Sequence, residues 1–412
     1  MSSEFSVTRE EFKTLAIVVV LGICSNLGID IHLASMPHIM SFMHTNQQKI
    51  QQSVSIFLLG MGLSLLFYGP MSDRFGRKPA VILGLSIAVI ASFSAAFTTN
   101  INSFLLTRFF QGVGSGVCIG LGRTIIADIL QGDRFAVIGS YFNMFINISP
   151  LFAPAMGGYI QHWFDWQANF ITLGAILTFT VLLYAFFCPE TNKFKNPKAC
   201  NPKIIFHNYK SLLTHRVFVG CTFMTGIAVA VGMVYATLSS FIFQIQFHLS
   251  PVMYGWLTAI AGLANFVGRI FNTMCIKRMG SQKTLLSGFF LLIFAGILLI
   301  TFILIKEVGI LIIMISVFFT MFSQSFVTSN CSSKALSPFH DKRGSAGALY
   351  GSFQMLAAFF ISGFVGMLVH DGVELLAASF FILGIIGTMI YYYVFKDSAP
   401  SKLNILPTPH QK

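Results

Sequence analysis

Long uninterrupted apolar runs recur along the whole chain, and they constrain its fold more than any other feature. A helix needs about 20 apolar residues to cross a hydrocarbon core of about 30 Å. Twelve such runs are present, six on each side of one long polar stretch. They cover residues 15–33, 53–67, 81–97, 105–126, 137–160, 171–187, 217–243, 253–275, 285–305, 308–328, 347–369 and 375–395. The sequence therefore predicts twelve membrane-spanning segments.

The composition agrees with a surface that faces lipid. Hydrophobic residues make up 55% of the 412 residues and charged residues only 10%, whereas a soluble domain carries about 25% charged residues. Because lipid cannot hydrogen-bond free backbone amides, a spanning segment is either a helix or a strand of a closed barrel. The runs are too long and unbroken for barrel strands of about ten alternating residues. We therefore expect an all-α polytopic membrane protein.

Lys and Arg fall almost entirely on one side of the predicted spans. With connections assigned alternately, one side receives ten of them in its short loops, plus the basic central stretch, and the other receives Lys49 and Lys306. Cytoplasmic loops are enriched in Lys and Arg, so both termini are predicted to be cytoplasmic. This asymmetry explains the net charge of +12, and no nucleic-acid partner is expected.

One long polar interval divides the chain into two halves. We predict an N-terminal six-helix bundle over residues 1–188, a cytoplasmic linker over 189–216 and a C-terminal six-helix bundle over 217–412 with a short tail. A trace of repetition supports this division, since Arg74-Phe-Gly76 and Arg278-Met-Gly280 follow the second and eighth spans at equivalent places. Parallel six-helix repeats around a central ligand site are a recurring transporter architecture.

Four segments resemble motifs of a known transporter family. The loop from Gly69 to Lys78 resembles the signature G-x-x-x-D-R-x-G-R-[RK] of the major facilitator superfamily. The segment from Leu27 to Pro37 resembles the end of helix 1 in the bicyclomycin-resistance (Bcr/CflA-type) drug exporters. Residues 108–112 match the R-x-x-Q-G motif of helix 4, and residues 150–158 resemble the proline–glycine motif of helix 5 associated with antiporters.

This resemblance implies the major facilitator superfamily fold, with twelve transmembrane helices in two six-helix bundles that work by alternating access. It also implies a proton-coupled antiporter that exports small amphipathic compounds. Two positions depart from the exporter pattern: His32 stands where the family has Tyr, and Ser35 stands where Pro is usual.

One acidic residue, Asp30, lies well inside a predicted span, while the others fall in loops, linker or tails. A charge near the bilayer centre costs at least about 2.5 kcal/mol, so one that is kept there is a functional candidate. Arg108, on the antiparallel fourth span, is predicted at a similar depth. We predict Asp30 as the proton site, Arg108 as its charge partner and Gln111 as an extension of the polar site. The alternatives are a rim or cap role for Asp30, a structural or snorkelling role for Arg108 and plain interhelical hydrogen bonding for Gln111.

The roles of other polar residues in the predicted spans are inferred from where they lie along each span. Asn26, Asn143 and Asn147 are candidates for the polar wall of a central cavity. Arg123 and Arg269 lie toward the basic ends of their helices, and we expect both side chains to extend to the membrane surface. Whether Arg269 reaches the cavity is left open.

The fifth span carries a candidate gate. Pro150 and Pro154 each remove a backbone hydrogen bond and bend the helix, while Gly157 and Gly158 allow a neighbouring helix to approach closely. The loop after the second span is a second candidate. It contains Gly69, Asp73, Arg74, Gly76 and Arg77.

We predict that Asp73 acts as a cytoplasmic latch. Its carboxylate would pair with a helix N-terminus or a basic group of the opposite half in one conformation only, as a two-state rocking mechanism requires. The alternative is that the loop only anchors the chain by its positive charge.

No motif indicates an enzyme or an ATP-driven pump. The phosphate-binding loop, H-E-x-x-H and the nucleophile elbow are all missing from the sequence. We therefore expect a monomeric secondary transporter of the bacterial inner membrane, driven by a proton gradient, with no other cofactor and no metal site. Three alternatives stay open: an exporter of an endogenous metabolite such as a siderophore, a nutrient importer, and a non-transporting sensor.

Overall fold

The computed structural model describes residues 8–130, 134, 138–139, 145–146, 148–339, 343–368 and 372–396, and the regular elements within them are helices. The N-terminal helices are α1 (Arg9–Asp30), α2 (Met36–Phe42), α3 (Gln47–Phe75), α4 (Arg77–Ala96), α5 (Ile101–Ile129), α6 (Ser149–Trp163) and α7 (Gln167–Phe187). A linker helix, α8 (Pro202–Leu213), follows. The C-terminal helices are α9 (Arg216–Phe241), α10 (Pro251–Met279), α11 (Ser281–Leu304), α12 (Ile310–Leu336), α13 (Arg343–Met367) and α14 (Gly372–Phe395).

The predicted membrane spans appear as helices of the expected length. Within the described residues, eleven helical segments are long and apolar enough to cross a bilayer, the first being α1 and α2 taken together. Helix α6 occupies the position of the remaining predicted run, whose residues 137, 140–144 and 147 lie outside the described part. The prediction of an all-α polytopic membrane protein is confirmed.

Polar residues cap the helices where they enter the membrane. The side chains of Thr8, Asn46, Asn100 and Ser250 each accept a hydrogen bond from a backbone N–H in the first turn of α1, α3, α5 and α10, respectively. Such caps satisfy amides that have no partner within the helix. A polar capping residue in the sequence therefore marks the start of each of these four helices.

A glycine turn supports the internal repeat. Gly76 ends α3 and starts α4 at a φ of 114°, and Gly280 ends α10 and starts α11 at a φ of 81°. Positive φ favours glycine over residues with a Cβ atom. The weak sequence match between these two loops therefore corresponds to the same backbone turn in each half.

Two antiparallel helix pairs join the halves. Helix α3 packs along α13, and α6 packs along α10. Helices α3 and α13 stay close over at least two turns. A Cβ atom built on Gly62 would lie 3.0 Å from Leu356, and one built on Gly69 would lie 3.9 Å from Ala348. The helix ends that carry the basic loops are called the basic end below, and the opposite ends are called the far end.

At the far end, hydrogen bonds connect the two bundles. Five such bonds between described residues all lie on that side: Ser240 to Leu33, Gln244 to Ala34, Gln51 to Thr237, Gln48 to Met367 and Trp256 to Tyr159. Their donor–acceptor distances run from 2.7 Å to 3.4 Å. The described conformation is therefore closed at the far end.

The linker lies against the basic end of the N-terminal bundle. The amide of Asn196 donates to the carbonyl of Asp73 at 2.9 Å, and the hydroxyl of Tyr209 donates to the carbonyl of Leu66 at 3.1 Å. Burial raises the pKa of Tyr209 to about 12. The linker is therefore packed onto α3 over part of its length.

Candidate transport site and gates

The first span is interrupted directly after Asp30. Helix α1 ends at Asp30, a 3₁₀ turn covers Leu33–Ser35, and α2 continues to Phe42. The sequence predicted that this span ends at residue 33, so Asp30 is deeper than expected. Twelve residues, or about 18 Å at 1.5 Å per residue, separate it from the far end.

Asp30 faces the opposite bundle. Its side chain is partly accessible, and it lies within electrostatic range of the hydroxyl of Tyr254, which belongs to α10. Within the described part of the chain, its carboxylate joins none of the ion pairs and accepts no hydrogen bond. An acidic group thus lies between the two bundles with its oxygens uncommitted to structural contacts.

Arg108 is fully buried within the N-terminal bundle. Its Nη1 donates to the carbonyl of Gly28 at 3.0 Å and its Nε to the carbonyl of Ser53 at 3.4 Å. The guanidinium carbon lies 4.5 Å from the centre of the Phe57 ring and 5.9 Å from that of Phe170. Carbonyl oxygens and aromatic faces therefore stabilise this cation inside the membrane.

The expected pairing of Asp30 with Arg108 is not formed. Arg108 binds the carbonyl of Gly28, and a side chain two residues further along a helix points about 200° away. Asp30 therefore projects from the opposite face of α1. His32 is four residues beyond Gly28 and lies on the same side of the first span as Arg108. Its Nε2 lies 3.4 Å from the Oγ of Ser53.

His32 is a buried titratable residue near Arg108 and was not predicted as part of the site. Its ring centre lies 5.8 Å from that of Phe170, which also faces Arg108. The one available signal was its departure from the Tyr of the resembled family.

Gln111 orients Arg108 and does not line the cavity. Its side chain is fully buried; its Oε1 accepts a hydrogen bond from Nη1 of Arg108, and its Nε2 donates to the Oγ of Ser92 at 2.7 Å. The prediction that it extends an open polar site is therefore corrected, because α4 covers it.

Of the three candidate cavity asparagines, Asn26 lies in the described part. It donates to the carbonyl of Ile146 at 3.1 Å, so it ties α1 to the segment before α6. Asn143 and Asn147 lie outside the described residues.

The glycines of α6 pack against the break in the first span. A Cβ atom on Gly157 would lie 1.9 Å from the carbonyl oxygen of Ile31, the residue after Asp30. The amide of Asn169 donates to both the carbonyl of Gly157, at 3.3 Å, and the Oγ of Ser35, at 2.8 Å. The proline–glycine segment therefore supports the backbone around Asp30.

The same segment contacts the other bundle. A Cβ atom on Gly158 would lie 2.4 Å from the carbonyl oxygen of Pro251, and one on Gly255 would lie 2.6 Å from that of Pro154. Pro150 contacts α10 in the same way further along. Helix α6 thus touches both α1 and α10 through backbone atoms, at the boundary that has to open and close.

The loop between α3 and α4 holds a charge network at the basic end. Arg77 donates from Nε to Oδ2 of Asp128 at 3.0 Å and from Nη1 to the Oγ of Ser72 at 2.7 Å. It also pairs with Asp73. This network links the α3–α4 turn to the end of α5.

A linker residue caps the helix that this loop begins. The carboxylate of Glu190 accepts hydrogen bonds from the amides of Arg77, at 2.8 Å, and Lys78, at 3.1 Å. A carboxylate is stabilised by the partial positive charge of a helix N-terminus. Arg74 stays outside the network, with its guanidinium 5.0 Å above the ring of Phe75.

The register of α3 and α13 places Asp73 level with a helix N-terminus of the other half. Gly69 faces Ala348, and the helices are antiparallel, so Asp73, one turn further, lies level with the first turn of α13. Its side chain is half exposed. A helix N-terminus of the other half is one of the partners named in the latch prediction, and the latch stays a prediction.

Replacing Asp73 by Asn is expected to lower transport about two- to fivefold without reducing membrane insertion, because a carboxylate at a helix N-terminus contributes about 0.3–1 kcal/mol. Initial rates in vesicles, normalised to the amount of inserted protein, measure the effect. Asp165→Asn removes an exposed acid at the far end and serves as the control. Equal rates for wild type and Asp73→Asn would remove the latch.

Arg269 does not extend to the membrane surface as predicted. Its Nε donates to Oδ1 of Asn265, one turn further from the basic end, at 3.2 Å. Arg269 is partly exposed, and Arg123 is exposed.

This arrangement is that of a membrane transporter built from two six-helix halves. Solved structures with the same fold include a D-xylose-proton symporter, with a TM-score of 0.75 at 16% identity over 93% of this chain and 97% of that one. The human organic anion transporter MFSD10 gives a TM-score of 0.71 at 14% identity over 93% of this chain and 100% of that one.

The chain belongs to the Major Facilitator Superfamily, whose sequence model matches residues 18–362 and 246–410. A bicyclomycin resistance protein homolog from Haemophilus influenzae is 24% identical over 96% of this chain and all of the relative. The multidrug resistance protein MdtL of Citrobacter koseri is 31% identical over 66% of this chain and 69% of the relative. The resemblance to this superfamily and to its drug-resistance members is confirmed.

Proposed function

We propose that this transporter is a proton-coupled antiporter that exports small amphipathic compounds. The position of Asp30 carries the proposal: an acid in the interior of a span, at a helix break, facing the other bundle and uncommitted to structural contacts within the described residues. An acid inside a membrane protein marks a proton or ion pathway by default. The names of the curated relatives, which refer to drug resistance, support export.

Asp30 is suited to respond to the movement of the bundles. Its neighbour Ile31 contacts Gly157 of α6, and α6 contacts Pro251 of α10 through Gly158. When the far end opens, the contact between Gly158 and Pro251 separates, and water reaches the carboxylate from that side. Proton uptake from the far side is thereby linked to substrate release, and proton loss toward the basic end restores the substrate-binding state.

Arg108 has a separate positioning role in this scheme. It joins α1, α3 and α7 through Gly28, Ser53 and Phe170, so it holds the face of α1 opposite to Asp30. We further propose that the basic end lies in the cytoplasm of a bacterial inner membrane and that the protein acts as a monomer.

The test is transport by purified protein in liposomes with an imposed pH gradient. A panel of neutral, cationic and anionic amphipathic dyes is loaded, and proton movement is followed with a trapped pH indicator. Antiport predicts dye movement against its gradient with protons moving the opposite way. Dye movement in the same direction as protons would instead identify a symporter, and dye movement without protons would remove the coupling.

A further inference from the structure

An open groove lies between the linker and the outer face of α4 at the basic end. It has a volume of about 650 Å³. Lys78, Ile82 and Leu83 of α4 line one side, and Glu190 and Lys195 of the linker line the other. No residue of the proposed proton site lines this groove.

The groove presents two lysines that are available to a ligand. Within the described residues, the ammonium groups of Lys78 and Lys195 join no ion pair and no hydrogen bond. The carboxylate of Glu190 is committed elsewhere, since it accepts hydrogen bonds from the amides of Arg77 and Lys78. The positive end of α4 offsets the charge of this carboxylate. The groove therefore carries an excess of positive charge.

The apolar side of the groove continues into the lipid-facing surface of α4. Leu83 is 51% exposed, and Ile90, two turns further along the same face, is 66% exposed. The predicted span begins at Val81, three residues after Lys78. Lys78 therefore lies at the level of the lipid headgroups, and Leu83 lies deeper, beside the hydrocarbon.

Hydrogen bonds hold the linker side of the groove in place. The Nδ2 of Asn192 donates to the carbonyls of Ser72 and Asp73, at 3.2 Å in both cases. The hydroxyl of Thr191 donates to Oδ2 of Asp128, also at 3.2 Å. The linker is thus docked on α3 and α5 directly before the groove, so its lysine is held close to α4.

We propose that this groove binds one anionic phospholipid, with its phosphate between Lys78 and Lys195 and an acyl chain along Leu83 and Ile90. Lysines beside a membrane attract anionic headgroups, and the exposed apolar strip below them matches an acyl chain. A soluble anion would use the lysines alone and would leave this strip without a role.

A bound lipid would also join two elements of the basic end. Its phosphate would connect the linker to the start of α4, beside the charge network at the α3–α4 turn. The inference does not depend on which compound the protein carries or in which direction.

A tryptophan in place of Leu83 reports which lipid occupies the groove. Leu83→Trp protein is reconstituted into phosphatidylcholine bilayers that contain increasing fractions of phosphatidylglycerol with brominated chains, which quench tryptophan fluorescence. The signal of the parent protein is subtracted; its three tryptophans, Trp163, Trp166 and Trp256, lie toward the far end. We expect the groove to prefer phosphatidylglycerol over phosphatidylcholine, with each lysine contributing about fivefold.

Variants in the Leu83→Trp background assign this preference to the two lysines. Lys78→Gln and Lys195→Gln should each lower it about fivefold, whereas Lys78→Arg and Lys195→Arg should keep it. Lys203→Gln, which removes an exposed lysine of α8 outside the groove, should leave it unchanged. Phe271→Trp, at an exposed position on α10, measures the general lipid surface and should show a smaller preference.

Three results would overturn the proposal. One is an equal preference at Leu83→Trp and Phe271→Trp, and another is a preference that both Gln variants retain. The third is loss of the quenching when glycerol phosphate is added, which would assign the lysines to a soluble phosphate. If a Gln variant fails to reconstitute, the comparison of the two tryptophan positions still decides, because both keep the lysines.

Discussion

Replacing Asp30 by Asn is expected to abolish transport driven by a pH gradient while leaving the protein folded and inserted. Asn has nearly the same shape but cannot exchange a proton. Because the carboxylate takes part in no ion pair or hydrogen bond between described residues, its loss leaves no buried partner unsatisfied. Uptake of dye against its gradient in liposomes should fall to the level of protein-free vesicles.

The conservative variant Asp30→Glu is the matched control, since it keeps a titratable carboxyl on the same face of α1. It should retain part of the proton-driven transport, and Asp30→Asn should still bind dye in detergent. Wild-type accumulation by Asp30→Asn would show that the coupling proton is carried elsewhere, with His32 the next residue to examine.

Replacing Gly158 by Ala is expected to favour the conformation that is open at the far end. The added Cβ would lie 2.4 Å from the carbonyl oxygen of Pro251, a backbone atom of the other bundle that cannot turn aside. Overpacking of this kind costs about 1–3 kcal/mol, and 1.4 kcal/mol shifts a two-state equilibrium about tenfold. The ratio of protein closed to protein open at the far end should fall by about that factor, and transport should fall with it.

Spin labels at the far end measure this shift directly. Phe97, after α4, and Leu304, at the end of α11, are both exposed and belong to different bundles, so unnatural amino acids there report their separation. Gly158→Ala should lengthen the mean distance. Gly347→Ala, at a helical glycine with nothing within 4 Å of the added Cβ, should not. An unchanged distance in Gly158→Ala would exclude a gating role for this contact.

The fold was predictable because lipid leaves a long apolar run little choice of structure. The far limit of the first span was not, since Ser35, Pro37 and His38 interrupt the apolar run although the helix resumes there as α2. The Oγ of Ser35 accepts a hydrogen bond from Asn169 of α7. The hydrogen-bond partner of this polar residue is distant in sequence, and periodicity alone does not show it.

The depth of a residue within the membrane was easier to predict than the side of the helix from which its side chain projects. The rise per residue placed Asp30 and Arg108 at similar depths, but which face of α1 each would occupy depends on how the helices are rotated in the bundle. The same limit applies to Arg269, where snorkelling and an inward position differ only by helix rotation. The proline–glycine and Asp73 motifs were located from sequence, while their partners came from the packing of α6 on α10 and of α3 on α13.

The proton count of substrate binding tests the central role of Asp30 most directly. Purified protein in weakly buffered detergent is mixed with a dye that the liposome panel shows to be transported, and a pH indicator records protons released. We expect proton release by wild type and by Asp73→Asn, and none by Asp30→Asn at the same dye occupancy. Equal release by wild type and Asp30→Asn would contradict the assignment of Asp30 as the proton site.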